Sequence, residues 1–341
     1  MEQLPNGAAA QSGSRGRLLL GTGLTLRTVG LIAAFSGSGL FRALISDADP
    51  DTERLPLWVR IAITVAVLGS GGLAYAYGSR LRLRGKQHLA PVITSFAQLR
   101  DVSYVLYLRP FLLDDRMSRT PDEAPGWLFR SPYELPWLTE EHFLVRQFAR
   151  LGRVVAIGQP GERLPLLGAE RGYLPLDDWQ GTVSELIRGA HVVALSAAPG
   201  PGTLWEFTEA LRTLPPTRLV LLIYSGPEVY DIFRTAAARE YSARSGRPTT
   251  ATPAPGWPPM PTLPDWPGPR PRRRRIREEK WDLPLKGIIS FDQHWGATFI
   301  PFEPVVPRVR WFKTVRRLLT RELEPVIGPL SELPVRDGQR A

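Results

Sequence analysis

The sequence predicts an α/β protein with two parts: an N-terminal hairpin of two transmembrane helices, and a three-layer domain built on a parallel sheet. Two observations predict this architecture. The first is an uncharged apolar stretch near the N-terminus, and the second is a later alternation of short apolar runs with amphipathic stretches. The chain of 341 residues is long enough for one sizeable domain with additional elements.

Composition narrows the classes of function. The formal net charge of +10 comes almost wholly from arginine, and such a charge favours anionic partners. The sequence has no cysteine, which excludes disulfides, thiolate metal sites and a cysteine nucleophile. Its 4 histidines are scattered without metal-ligand spacing, so no histidine metal centre is expected. The sequence leaves the cofactor unknown.

The first predicted span covers residues 27–45, within an apolar stretch that begins at residue 18. Arg27 and Arg42 interrupt this stretch, and an arginine at the centre of a span costs about 2.5–3.5 kcal/mol on insertion scales. Choosing 27–45 places both near the ends, where they can reach the interface. A cleaved signal peptide is the alternative, because Arg15 and Arg17 precede an apolar run.

The second predicted span covers residues 61–78, which carry no charge. At about 1.5 Å per residue, the stretch nearly matches the thickness of a bilayer's hydrocarbon core. Trp58 lies at one end and Tyr75 and Tyr77 at the other, where aromatic rings prefer the interface. Small residues let another helix approach closely, so packing on the first span and self-association are both expected. These residues are Gly69, Ser70, Gly71 and Gly72.

Arginine asymmetry predicts the orientation of this hairpin, which occupies residues 18–86 after a tail of residues 1–17. Basic residues precede the first span and follow the second, whereas the loop between the spans is acidic. Because positive charge stays inside, both termini are expected in the cytoplasm, at the inner membrane. The basic residues are Arg15, Arg17, Arg80, Arg82, Arg84 and Lys86, and the acidic ones are Asp47, Asp49, Asp51 and Glu53.

Residues 87–224 are predicted to form the main part of the cytoplasmic α/β domain. Short apolar runs read as buried parallel strands, and amphipathic stretches between them read as covering helices. A long loop that contains Asp114 and Asp115 follows the first strand. The expected strands are 102–108, 154–157, 191–196 and 218–224, and the expected helices are 139–152, 179–188 and 204–214.

Residues 225–285 are rich in proline and arginine and are predicted to form a linker or a disordered insertion, with a helix expected near residues 229–241. A basic run within them begins at Arg270 and ends at Arg277, and near a membrane it favours anionic lipids by about 1 kcal/mol per arginine. Nucleic acid is the less favoured partner, because no aromatic residues interleave the run. Closing strands and a helix are expected at 286–325, before a disordered tail at 326–341.

The stretches VLYLRPFLLDD, RVVAIGQPGERLPLLGA, DDWQ, AHVVALS and LWE resemble a group of bacterial membrane-tethered proteins without a known reaction. A wider similarity is to the Toll/interleukin-1 receptor fold, a flavodoxin-like sheet, with Ser196, Trp205, Glu209 and Leu211 in comparable places. In the NAD-cleaving members of that fold, the motif glutamate acts on the nicotinamide ribosyl bond. The resemblance implies this role for Glu209 or for Glu206, although the cysteine of the motif is missing.

The candidate site lies where strands end and helices begin. A carboxylate at the amino end of a helix, opposite the carboxyl ends of parallel strands, lies where such sheets bind ligands. Glu206 and Glu209 are therefore the candidate catalytic residues. Alternatively, Glu206 complements the helix dipole and Trp205 packs in the core. The candidate ligand-binding residues are Arg109, Asp114, Asp115, Gly158, Gly161, Ser196 and Trp205.

The glycines from Gly158 to Gly168 leave two interpretations open, a phosphate cradle or a plain turn, because they lack the spacing of known phosphate loops. The sequence thus predicts a membrane-anchored module that binds a nucleotide-like ligand or a protein partner, as a sensor, scaffold or effector. An NAD glycohydrolase or related nucleoside-processing enzyme is the alternative. Attachment of lipid or nucleic acid through the basic run is the third.

Overall fold

The computed structural model describes residues 11–45, 56–111, 140–159, 162, 164–165, 167–174, 178–246, 256–268, 278–281, 283–307 and 314–335. The chain divides into two compact units. One is the N-terminal helical part up to Ala90, and the other contains most of the chain from Pro91 onward. The predicted site residues Asp114, Asp115 and Gly161 lie outside the described residues, as does the basic run from Arg270 to Arg277.

The N-terminal unit consists of two long helices, α1 (Gly13–Ile45) and α2 (Leu57–His88), which pack against each other. By length and composition, both could cross a membrane, with candidate spans Gly13–Gly39 and Trp58–His88. Their apolar side chains point mostly outward: Phe35 is 75% exposed and Leu73 is 74% exposed. Outward apolar faces of this kind are typical of lipid-facing helices rather than of helices in a soluble core.

Glycines at seven-residue intervals form the seam between α1 and α2. A Cβ atom on Gly23 would lie 2.6 Å from the carbonyl oxygen of Gly78, and one on Gly30 would lie 2.5 Å from that of Gly71. Small residues therefore let the two backbones touch. Gly69 and Gly72 have open space around them, so self-association through them stays a prediction. The seam continues through Gly16 and Gly85.

A mixed sheet forms the centre of the second unit. Its strands are β1 (Val92–Ile93), β2 (Tyr104–Leu108), β3 (Arg153–Ile157), β4 (Glu170–Gly172), β5 (Val192–Ser196), β6 (Leu219–Ile223), β8 (Gly287–Phe291) and β9 (Ala297–Pro301). They lie in the order β1-β4-β3-β2-β5-β6-β8-β9. Two further strands, β7 (Glu278–Lys280) and β10 (Val305–Pro307), form a separate antiparallel pair.

The sheet is parallel from β1 to β6, but at its edge β8 runs antiparallel to both of its neighbours, β6 and β9. The sequence predicted an all-parallel sheet, so the α/β class is confirmed while the strand directions differ at this edge. For the β8–β9 pair, the physical reason lies in their connection. Only residues 292–296 join them, and a loop this short can form a hairpin but not a parallel crossover.

Helices cover both faces of the sheet. One face packs on α3 (Glu140–Phe148) and α7 (Thr314–Ser331), and the other packs on α4 (Trp179–Gly189), α5 (Pro201–Thr213) and α6 (Pro227–Ser245). Successive side chains of each buried strand point to opposite faces of the sheet. Tyr107 faces α3 and α7, and Leu108 faces the other three helices. The chain goes from β2 to α3 but from β5 to α5, so these neighbouring strands lead to opposite faces.

Within residues 225–285, the structure contains the helix expected near residues 229–241. This helix is α6, whereas residues 256–268 of the predicted linker pack against the core without regular secondary structure. Leu263 is only 4% exposed, and the hydroxyl of Tyr230 donates a hydrogen bond of 2.8 Å to the carbonyl oxygen of Pro264. A proline-rich segment needs no internal hydrogen bonds, so its interspersed apolar side chains can still be buried. We call residues 256–268 the proline strap.

The C-terminal helix also extends further than predicted. The sequence placed a disordered tail after residue 325, whereas α7 continues to Ser331 despite containing Pro325 and Pro329. Val326, Ile327 and Leu330 are buried at helical spacing. Their burial offsets the hydrogen bonds that the prolines cannot make.

Candidate functional site

Three of the predicted ligand-binding residues lie in one row across the carboxyl ends of neighbouring strands. Leu108 of β2 pairs with Leu195 of β5, so one further residue places Arg109 beside Ser196. Tyr107 pairs with Ala156 of β3, so two further residues place Arg109 beside Gly158. The register of the parallel strands brings together these residues, which are far apart in the sequence.

Arg109 lies on the side of the sheet that α3 and α7 cover. Its guanidinium carbon lies 5.4 Å from the centre of the Tyr107 ring, which belongs to that face. The hydroxyl of Tyr107 in turn lies 3.1 Å from the hydroxyl of Tyr224, at the end of β6. Arg109 is only 7% exposed. A buried guanidinium strongly favours a nearby acceptor of hydrogen bonds, and above all an anion.

Ser196 provides a hydroxyl beside this arginine. It alternates with Ala194 along β5, and Ala194 belongs to the same face as Tyr107. Ser196 is fully buried, and among the described residues no group forms a hydrogen bond with its Oγ atom. Leaving a buried hydroxyl without a partner costs about 1–3 kcal/mol, so a hydrogen-bonding group beside Oγ would be stabilising.

A second buried arginine, Arg171, lies on β4 and is 0% exposed. It pairs in register with Ala156, which places it on the same face as Arg109. Its Nη1 atom lies 3.9 Å from the carboxylate of Glu162. The sequence reasoning missed Arg171 because the turn-rich stretch around it gave no strand signal. The same face of the sheet thus has a second cation, which lies near the carboxylate of Glu162 and level with Ala156 rather than with Arg109.

Gly158 serves packing in this arrangement. A Cβ atom there would lie 2.4 Å from the ring of Tyr173, so the ring occupies the space of a side chain. The Tyr173 hydroxyl donates a hydrogen bond of 3.2 Å to Glu162. Of the two interpretations left open by the sequence, this close approach fits a structural glycine, whose absent side chain admits an aromatic ring.

Glu209 is the centre of an ion-pair network in the helical layer on the opposite face. Its carboxylate accepts hydrogen bonds from Arg212 at 2.5 Å, from Arg244 at 2.7 Å and from Ser184 at 2.5 Å. Although burial opposes the charged form, these hydrogen bonds lower the pKa of Glu209 to about 2. Glu209 therefore stays ionised and joins α4, α5 and α6. This network occupies the carboxylate that the resemblance assigns to catalysis.

Glu206 lies one helical turn earlier on α5 and is partly buried. Burial raises its pKa to about 8, so the carboxyl is mostly protonated at neutral pH. Trp205 beside it contacts Trp179 edge-on, with ring centres 5.0 Å apart, and the Arg244 guanidinium lies 5.0 Å from its ring. The structure thus places Trp205, Glu206 and Glu209 on one face of the sheet, and Arg109 and Ser196 on the other.

Within the ranges given above, no group of three or more His, Asp or Glu side chains could hold a metal ion. The chemistry that the row offers is electrostatic attraction and hydrogen bonding, through arginine and a hydroxyl.

Comparisons with protein-family models, with curated proteins and with solved structures find no match for this chain. The function must therefore be inferred from the geometry of the site itself.

Proposed function

We propose that this protein is a membrane-anchored cytoplasmic α/β module that binds a small anionic, nucleotide-like ligand at the carboxyl ends of β2 and β5. The observation that carries the proposal is the buried guanidinium of Arg109 beside the buried hydroxyl of Ser196. Binding of this kind suits a sensor or effector, in which the ligand changes the interaction with a protein partner.

The topology supports this location. In open α/β sheets, ligands bind outside the carboxyl ends of the strands, where neighbouring strands lead to opposite faces. β2 and β5 form such a pair, because α3 and α5 lie on different faces. The spatial order of the central strands, β3-β2-β5-β6, also supports a flavodoxin-like fold. Proteins of that fold bind their ligand at the equivalent crevice.

The chemistry of the row supports an anion. A guanidinium presents two parallel N–H groups to a phosphate or carboxylate, and such charge-assisted bonds are about twice as strong as neutral ones. The Ser196 hydroxyl can donate a further bond to the same group. Arg171 adds positive potential on the same face. A phosphate group can accept hydrogen bonds from a guanidinium and from a hydroxyl at the same time.

Membrane attachment forms the other half of the proposal. The outward apolar faces of α1 and α2 support insertion of the hairpin in lipid. Basic residues at the ends of the two spans that adjoin the termini support a cytoplasmic location for both. The sheet domain follows α2 directly, so it would lie at the inner surface of the membrane.

Ligand binding can be tested with the full-length protein in detergent, using radiolabelled ATP, GTP, NAD and pyrophosphate in equilibrium dialysis. We expect saturable binding of at least one probe, weakened about tenfold or more by Arg109→Gln. Arg100→Gln is the matched control, because this substitution removes the same charge from an exposed position. Failure of every phosphate-bearing probe to bind saturably would reject the proposal.

An NAD-cleaving enzyme is the second candidate, and Glu206 is the observation that favours it. A carboxyl beside the ribose can hold its hydroxyl and, when ionised above its pKa of about 8, stabilise the oxocarbenium ion that forms as neutral nicotinamide leaves and water attacks. Incubation with NAD should then release nicotinamide, and Glu206→Gln should abolish the release. Absence of turnover at high protein concentration would leave the binding function alone.

A further inference from the structure

We infer that the inner end of the hairpin contains a binding site for the phosphate of an anionic phospholipid, formed by Arg27, Arg82 and Tyr75. This inference rests on the proposed membrane insertion but is independent of the ligand at β2 and β5. It concerns one specific site, whereas the positive charge of the chain as a whole favours anionic lipid only diffusely.

Two arginines occupy equivalent positions on the two antiparallel helices. Arg27 lies four residues after Gly23 on α1, and Arg82 lies four residues after Gly78 on α2. Each arginine packs over the glycine of the opposite helix. A Cβ atom on Gly78 would lie 3.0 Å from Cγ of Arg27, and one on Gly23 would lie 2.7 Å from Cγ of Arg82. The glycines thus make room for both arginine stems within the seam.

The position of Arg27 is fixed by an aromatic residue on the other helix. Its Nη2 atom donates a hydrogen bond of 3.2 Å to the hydroxyl of Tyr75, and its guanidinium carbon lies 5.0 Å from the centre of the same ring. Arg27 is only 9% exposed. The side chain is therefore held in place before any lipid arrives, which reduces the entropy that binding must overcome.

Positive charge accumulates around this pair. Arg27 and Arg82 interact electrostatically with each other, and Lys86 interacts with both. Neither α1 nor α2 contains an Asp or Glu, so the two helices themselves supply no negative charge. Like charges held together on an apolar hairpin are strongly complementary to a phosphate group.

Depth favours a lipid phosphate over a free anion. Arg27 and Gly78 are the predicted inner ends of the two spans, and they contact each other across the seam. With the spans at residues 27–45 and 61–78, this level corresponds to the boundary between acyl chains and headgroups. Apolar side chains face outward close by, with Leu24 54% exposed and Val29 52% exposed, and acyl chains would cover them.

The test uses the full-length protein in a zwitterionic detergent, titrated with phosphatidylglycerol or with phosphatidylcholine of the same acyl chains. Bound lipids are counted by native mass spectrometry. We expect the wild type to retain phosphatidylglycerol in preference to phosphatidylcholine, and Arg27→Gln and Arg82→Gln each to weaken retention about tenfold. Arg84→Gln removes the same charge from an exposed position on the same helix, so it should change retention less than about twofold.

Each other outcome contradicts the inference in a defined way. Equal retention of the two lipids by the wild type rejects the site without relying on any variant, and equal losses in all three variants show diffuse attraction. If soluble glycerol phosphate displaces the lipid at equal concentration, the site takes a free anion instead. Alkaline carbonate extraction tests membrane insertion separately. A protein that is inserted but shows no lipid preference would contradict the lipid site and not the proposed insertion.

Discussion

Glu209 and Arg244 form an ion pair of 2.7 Å that joins α5 to α6 inside the helical layer. The Glu209 side chain is only 2% exposed, whereas that of Arg244 is 21% exposed. A carboxylate this deeply buried is stable only with its partners in place. Glu209, which the sequence resemblance selects as catalytic, therefore helps to hold the helical layer together.

Removing the charge of Glu209 should destabilise the protein. Glu209→Gln leaves two arginines without their shared carboxylate, and we expect a loss of about 2–4 kcal/mol in the free energy of unfolding. Thermal unfolding followed by tryptophan fluorescence measures it. Glu228→Gln is the control, since Glu228 is exposed on α6, and its effect should stay within about 0.5 kcal/mol. Equal unfolding midpoints for Glu209→Gln and wild type would contradict the network.

Glu206 should make stability depend on pH in the neutral range. Because its pKa is raised from 4.5 to about 8, the folded state holds a proton that the unfolded state releases between these values. Stability therefore falls as pH rises through this window, by at most about 1.4 kcal/mol per pH unit. Glu206→Gln should flatten the dependence. A wild-type profile that is already flat between pH 4.5 and about 8 would contradict the burial of this carboxyl.

The glycine seam predicts that substitutions at two glycines of the hairpin will have very different effects on its stability. Gly30→Leu would bring side-chain atoms against the backbone of Gly71, so the helices must separate. We expect a lower thermal midpoint in detergent and faster proteolysis of the connecting loop. Gly72→Leu should change either quantity little, because open space surrounds Gly72. Similar effects of the two substitutions would show that the helices do not pack through this seam.

The proline strap should contribute to the stability of the sheet domain. Leu263→Ala removes a buried side chain and is expected to cost about 2–4 kcal/mol, whereas Thr262→Ala at an exposed neighbour should be nearly neutral. Tyr230→Phe removes the hydrogen bond to Pro264 and should cost about 1 kcal/mol. Denaturant unfolding measures all three. A neutral Leu263→Ala would mean that the strap does not pack on the core.

Apolar runs made much of the fold predictable. The two long helices and the buried strands β2, β3, β5 and β6 all follow from contiguous apolar residues, because burial on both sides leaves a clear signal. The short strands β1 and β4 left none, since two or three residues join a sheet only through tertiary contacts. The packing of the proline strap was missed for a related reason. Its proline content indicates that the backbone forms no helix or strand, but not whether the neighbouring side chains are buried.

The candidate site was predictable only in part. Arg109 and Ser196 follow predicted strands, so their location at one edge of the sheet could be expected from the parallel topology. The partners of Glu209 could not be foreseen, because Ser184 and Arg244 come from other helices far along the chain. Local sequence therefore indicated the edge of the sheet, whereas the division of residues between its two faces needed the structure.

The membrane hairpin is tested most directly by labelling single cysteines, which the absence of natural cysteine allows. Asp51→Cys lies in the predicted external loop, and Ser331→Cys lies at the exposed end of α7. With a membrane-impermeant maleimide on spheroplasts of the expression host, Asp51→Cys should react at once, and Ser331→Cys only after lysis. Protection of both cysteines before lysis, or reaction of both, would contradict the proposed architecture.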